Sequence, residues 1–181
     1  MPIALVVVLA ILVVLNLAMT VGLIHRLREI HRTVTDWSER AKASPLLGGI
    51  PVGELAPAFL ATAVDGTSVG SADFAGSRWL LGFFSSSCGS CRTYLPRLGE
   101  LAKSQVNPLR PLIVIDGPAG LAADLVAMGT GMGPVVVENF DGGVSSEFKV
   151  NLYPTYYMID EGGRIAFGSN SVDDLERYFA A

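Results

Sequence analysis

The sequence predicts an α/β domain built on a mixed β-sheet and carried behind an apolar N-terminal anchor. Three observations predict it. From Trp79 onward, apolar runs of strand length alternate with helix-like segments, the pattern of sheet and helices packed in layers. Glu161-Gly162-Gly163 joins the last two strand-like runs as a tight turn, which makes that pair antiparallel and the sheet mixed. Ile3 to Ile24 carries no charge and is nearly all Leu, Val, Ile, Ala and Met.

As a helix, that first run would be about 33 Å long, against a hydrocarbon core of roughly 30 Å. Each Leu, Ile or Val favours insertion by about 0.3–0.6 kcal/mol near the bilayer centre, and their sum outweighs the single Asn16. A cleaved signal peptide would want a basic leader, an apolar core of about 7–15 residues and a small-x-small site. Only Met1 and Pro2 precede this run and no such site follows, so residues 1–25 are expected to be an uncleaved transmembrane anchor. Residues 26–50 are expected to form a juxtamembrane helix and linker. Leu23, Leu27, Ile30, Val34 and Trp37 recur at helical spacing, but two heptads are too few to establish a coiled coil. We read the stripe as an amphipathic helix resting on the membrane surface or on the domain. Ser44 to Pro51 (SPLLGGIP) breaks it, and the domain is expected to occupy residues 51–181.

The chain is 50% hydrophobic and 17% charged, an apolar excess concentrated in the first run. Its net charge of −4 offers no basic face, which argues against a nucleic-acid partner.

Within the domain, Phe59–Val64 and Thr67–Val69 flank Asp65-Gly66, a hairpin signal. Trp79–Phe84 suits a buried strand and ends in Ser85-Ser86-Ser87. A helix follows from about Gly89 to Lys103, interrupted by Pro96, which should kink it. Pro111–Asp116 is a second buried strand, Ala119–Met128 a helix and Pro134–Val137 a third strand. Gly143–Lys149 reads as a short helix. Thr155–Asp160 and Arg164–Phe167 form the closing hairpin. Ser171, with Asp174 three residues on, resembles a capping box opening a last helix that ends near Tyr178.

Both cysteines lie in one motif, Cys88-Gly89-Ser90-Cys91. Two cysteines at this spacing suit reversible disulfide chemistry when the first precedes a helix and the second lies in its first turn. Amide N–H groups and the helix dipole then favour negative charge on the first sulfur. Arg92 and Arg97 are close enough in sequence to add to this. A thiol of pKa near 7 is about 50% thiolate at neutral pH, against about 3% at pKa near 8.5. Lower intrinsic nucleophilicity cancels roughly fivefold of that gain, so the larger effect is on leaving ability and redox potential. A zinc site needs four ligands, and the only histidines, His25 and His31, lie beside the anchor; no metal or other cofactor is expected. An inert structural disulfide is the plainer alternative.

Three segments together resemble the TlpA/redoxin group of membrane-tethered thioredoxin-like proteins, with a layout similar to the methylamine-utilisation MauD proteins. They are GELAPAFLATAVDGTSV from Gly53, WLLGFFSSSCGSCRTYLPRL from Trp79 and NLYPTYYMIDEGGRI from Asn151. The resemblance covers about Gly53 to Ala181 and implies a thioredoxin-like fold and thiol–disulfide oxidoreductase activity. It implies Cys88 as attacking and Cys91 as resolving sulfur, with Gly89, Ser90, Arg92 and Pro96 in support. It further implies that Tyr153-Pro154-Thr155, with a cis-proline, faces the sulfurs and binds substrate. Protein thiols or disulfides would be the substrates, and a membrane electron donor is a candidate partner. The chain departs from the group in several places. Ser87 stands where an aromatic residue commonly precedes the first cysteine, and Gly89-Ser90 replaces Gly-Pro. Thioredoxin's buried acid would fall near Gly82, and Tyr94 replaces a Glu frequent in TlpA-like reductases. These departures leave the proton acceptor for Cys91 unassigned.

Two other readings compete. A peroxiredoxin-like peroxidase wants Ser or Thr three residues before its cysteine, where Ser85 stands, though it does not usually carry a resolving cysteine at this spacing. A non-enzymatic assembly factor would keep the fold for binding. Arg26, Arg28 and Arg32 follow the apolar run, so the positive-inside rule taken alone puts the domain in the cytoplasm. The resemblance implies an extracytoplasmic domain on a single-pass anchor, and we follow it.

Overall fold

The computed structural model describes residues 48–107, 109–139 and 142–180, together with the helical Leu12, Asn16 and Met19. The rest of the expected anchor and juxtamembrane helix lies outside the described residues. Among the described residues, no helix is long and apolar enough to cross a membrane. The chain divides into two compact units, and the second, Pro45–Ala181, begins upstream of the expected boundary at residue 51. A physical reason lies at Ile50, which is buried and whose N–H donates to the Tyr157 hydroxyl at 2.9 Å.

The domain opens with a hairpin of β1 (Leu60–Thr62) and β2 (Ser68–Gly70), paired antiparallel. Its turn is set by Asp65, whose carboxylate accepts from the Thr67 N–H at 2.9 Å and the Thr67 hydroxyl at 2.6 Å. Gly66 takes the left-handed φ of 85° that this turn requires. A short 3₁₀ turn, Ser71–Phe74, leads into β3 (Trp79–Ser85), every residue of which is buried.

The remaining elements are α1 (Cys91–Ser104), β4 (Leu112–Asp116), α2 (Ala119–Gly129), β5 (Val135–Glu138), α3 (Gly143–Glu147), β6 (Thr155–Ile159), β7 (Ile165–Ser169) and α4 (Val172–Ala180). They follow the predicted order. The main sheet runs β5-β4-β3-β6-β7, with β3, β4 and β5 parallel and β6 and β7 antiparallel, so it is mixed as expected. Period-two alternation divides the core between the two faces. Leu81, Phe83, Tyr157 and Ile159 join Phe148 and the β1–β2 hairpin on one side. Leu80, Phe84, Tyr156 and Met158 pack on the other, against Leu95 and Leu98 of α1, Leu125 of α2 and Leu175 of α4.

One local expectation fails. Asp174 does not close a capping box with Ser171: its carboxylate accepts the Ser169 hydroxyl at 2.7 Å, and Ser169 Oγ accepts the Ser171 N–H at 3.0 Å. The cap comes from the end of β7 because Ser169, fully buried there, needs both partners.

Topology alone assembles one end of the sheet. β3 and β6 are antiparallel with Phe83 opposite Thr155, so the segment leaving β3 and the segment entering β6 emerge together. The first carries the cysteine motif and the second carries Tyr153-Pro154.

Candidate active site

Cys88 precedes α1, Ser90 is its N-cap residue and Cys91 its first helical residue. The chain turns into the helix through backbone bonds from Cys88 N–H to Ser85 O and from Cys91 N–H to Cys88 O. Both cysteines are free thiols, Cys88 half-buried and Cys91 fully buried. The Cys88 sulfur lies 3.3 Å from the Ser90 hydroxyl and donates to the Tyr153 carbonyl at 3.7 Å. The Tyr153–Pro154 bond is cis, as the resemblance implies.

The two sulfurs are electrostatically unlike. Burial pushes Cys88 up, but hydrogen bonds from the Cys91 and Ser90 side chains and backbone outweigh it and hold the thiol below its ordinary value. Cys91 is pushed up to about 12, first by burial and then by its hydrogen bond to Cys88, against a smaller opposing backbone bond at Ser85. One sulfur is therefore set up as a nucleophile and leaving group, and the other as a thiol that holds its proton.

The supporting residues divide. The Arg92 guanidinium ion-pairs with Asp124 and reaches the carbonyls of Ser86 and Cys88 at 3.4 and 3.5 Å, so it braces the motif's backbone. The expectation that Arg97 adds positive charge to the sulfurs is corrected: it ion-pairs with Asp173 and Glu176 of α4. At the seventh residue of the helix, its side chain projects towards that element instead. Gly89 is exposed, with open space where a Cβ would stand, so sterics do not demand glycine there. Pro96 lies inside α1, half-buried. Ser85, singled out for a peroxidatic site, turns its hydroxyl to Ser87 Oγ at 3.0 Å, with no bond to the Cys88 sulfur.

The proline loop is clamped from beneath. Thr155 is buried; its hydroxyl donates to the Leu152 carbonyl at 2.7 Å and accepts from the Asn170 amide at 2.6 Å. It supports the ledge rather than presenting itself outward. The Tyr153 phenol turns towards Asp116 and Ser145, and burial, then the charge of Asp116, pushes it up to about 12. Asp116 closes β4 and is itself held above the ordinary carboxylate range by burial and by Glu138. Glu138 closes β5 and accepts the N–H groups of Val144 and Ser145 at 2.7 and 3.0 Å, capping α3.

Asp116, Glu138, Asp124 and Tyr156 were not singled out from the sequence. The first two had a faint signal, an acid ending an otherwise apolar strand. Tyr156 had none, being an aromatic residue in a strand-like run.

A thioredoxin-like domain with two thiols at a helix start, the first against the Tyr153 carbonyl, fits the thiol–disulfide class of oxidoreductase. No protein-family model matches the chain. The thioredoxin-like protein YneN of Bacillus subtilis is 27% identical over 135 residues, spanning 72% of this chain and 78% of that protein. A Chlorobium tepidum protein assigned as thiol:disulfide interchange protein DsbE superposes with a TM-score of 0.60 at 26% identity, covering 71% of this chain and 94% of the other. The thioredoxin domain of a Bacteroides vulgatus thiol-disulfide oxidoreductase gives the same TM-score at 19% identity, covering 72% and 99%. Fold and likeness together establish a thioredoxin-like fold for this chain and are consistent with an oxidoreductase.

Proposed function

We propose that the chain is a membrane-tethered thiol–disulfide oxidoreductase that acts on protein disulfides or dithiols through Cys88 and Cys91. The observation that carries it is the asymmetry of the sulfurs: Cys88 is accessible and lowered, Cys91 buried and raised to about 12. The Cys88 thiolate attacks a substrate disulfide and forms a mixed disulfide, releasing one substrate thiol. Cys91 then loses its proton and attacks Cys88, closing the Cys88–Cys91 bond and releasing the second substrate thiol. Run in reverse, the same steps oxidise a dithiol. The Tyr153–Pro154 turn forms the ledge on which an extended peptide lies, with the Tyr153 carbonyl beside the reacting sulfur and Thr155 bracing the turn from beneath.

The uncharged run from Ile3 to Ile24 supports the tether, and the resemblance to TlpA and MauD proteins supports an extracytoplasmic domain. The test is trapping. The full chain with Cys91→Ser should accumulate mixed disulfides through Cys88, and the Cys88→Ser chain should accumulate none. Absence of any trapped protein, together with alkylation of Cys88 no faster than an ordinary thiol, would overturn the reading. Protease accessibility in intact cells checks the orientation.

A further inference from the structure

We propose that Tyr156 is a positioning residue for the resolving step, its hydroxyl donating a hydrogen bond to the Cys91 sulfur as that sulfur becomes a thiolate. The inference rests on the oxidoreductase reading and names a donor for the sulfur whose ionisation is hardest.

The observation behind it is an orphaned polar atom. The Tyr156 side chain is fully buried, and its hydroxyl has no hydrogen-bond partner among the described residues. A buried hydroxyl without a partner is costly, and native proteins keep few of them. The surroundings point to its use. Tyr156 shares one core cluster with Cys91, Leu95 and Leu98, on the α1 side of the sheet. The ring stands edge-on to Phe84, centroids 5.9 Å apart, and faces α1 from the strand register opposite Gly82. Gly82 offers no polar group there, and a Cβ on it would meet Leu98 and Phe84 at 2.8 Å. The charged or ionisable groups that the phenol feels are Cys91 first, then Tyr94, Cys88 and Arg97, all in or beside the first two turns of α1. Burial holds the phenol protonated, so it serves as a donor and not as a base.

In the mixed disulfide, Cys88 is bonded to substrate. Cys91 gives its proton to water, and the thiolate attacks Cys88. The Cys88–Cys91 bond forms, the Cys88–substrate bond breaks, and the departing substrate sulfur takes a proton from solvent. Tyr156 keeps its own proton throughout and stabilises only the charged form of Cys91.

Tyr156→Phe removes one oxygen and preserves the ring. Losing a hydrogen bond to a charged acceptor should move Cys91 ionisation up by about one pH unit. Tenfold less thiolate, offset by roughly threefold greater nucleophilicity, leaves resolution about threefold slower near neutral pH. Single-turnover kinetics on the full chain, with a dithiobis-nitrobenzoate probe, separate formation of the mixed disulfide at Cys88 from its resolution. The expected result is slower resolution with an unchanged first step. In a Cys88→Ser background, the same change should shift the thiolate absorbance titration of Cys91 upward. Resolution at the parent rate, or both steps slowed equally, would overturn the role of Tyr156 while leaving the oxidoreductase reading intact. A parent chain that forms no mixed disulfide at Cys88 overturns both.

Discussion

Two sulfurs three positions apart acquire opposite tendencies because one side of the motif faces donors and the other faces apolar core. The consequence reaches stability as well as reactivity, with opposite signs. Cys88 has a lowered folded value, so the folded chain binds fewer protons than the unfolded one between that value and the ordinary thiol range near about 8.5. Its contribution to the reduced protein is complete above that range and is lost as pH falls through the folded value. Cys91 behaves conversely. Its contribution is complete below the ordinary thiol range and is lost as pH rises towards about 12. The slope on that side is up to about 1.4 kcal/mol per pH unit. The thiols' contribution to the reduced protein should therefore peak around pH 8–9 and fall above it. The disulfide form lacks that contribution, and the raised Tyr153 phenol weakens both forms alike at higher pH, so the difference between the two profiles carries the signal. Urea unfolding of both forms across this range measures the difference, and parallel profiles would contradict the assignment. A second outcome concerns Ser90. Ser90→Ala removes a donor 3.3 Å from Cys88 and should slow neutral-pH alkylation by about two- to fivefold, a modest effect because the sulfur is partly solvated. The pH profile of alkylation reads it directly.

Strands and helices put these residues where they are, and much of that was legible. Among the described residues of the domain, each strand and α-helix lies within a few residues of its expected place, the 3₁₀ turn Ser71–Phe74 alone being unanticipated, because buried runs such as Leu112–Asp116 and turn signals such as Asp65-Gly66 are local properties. The pairing of Cys88 with the Tyr153 loop was legible only through resemblance, since 65 positions separate them and nothing local links them. Arg97 shows where sequence spacing fails: closeness along a helix does not say which way a side chain leaves it, and the acids of α4 claimed this one. Glu138 shows the same limit, since its role depends on where α3 lands. That role predicts a specific cost. Glu138→Ala strands the Val144 and Ser145 N–H groups in a buried setting and should destabilise the domain by about 1–3 kcal/mol, with Glu138→Gln retaining part of the cap. Gly82→Ala tests the opposite fault, excess volume. Its Cβ meets the fully buried Leu98 and Phe84, so a loss of about 1–3 kcal/mol is expected in denaturant titration.

The molecule as a whole poses the question of where its self-sufficient part begins. Composition put the boundary at Pro51, after the Gly48-Gly49 pair that looked like flexible linker. The contacts put it earlier. Ile50 is buried among the residues that pack Phe59, Trp79 and Tyr157, and its N–H satisfies the Tyr157 hydroxyl beneath β6. Gly53 and Ala56 then bind the last hairpin through Ile165 O and Gly163 O, so this segment holds the sheet edge without forming a strand in it. A chain starting at Pro45 retains all of these interactions and should fold alone, with Cys88 alkylating at the full-length rate. A chain starting at Gly53 loses the Ile50 side chain and leaves the Tyr157 hydroxyl without its donor, a cost of about 2–4 kcal/mol when apolar burial and the lost bond are taken together. Denaturant midpoints of the two truncations decide it. If both unfold alike, residues 45–52 are linker after all; if only the shorter one weakens, the domain begins upstream of Gly53 and takes in Ile50.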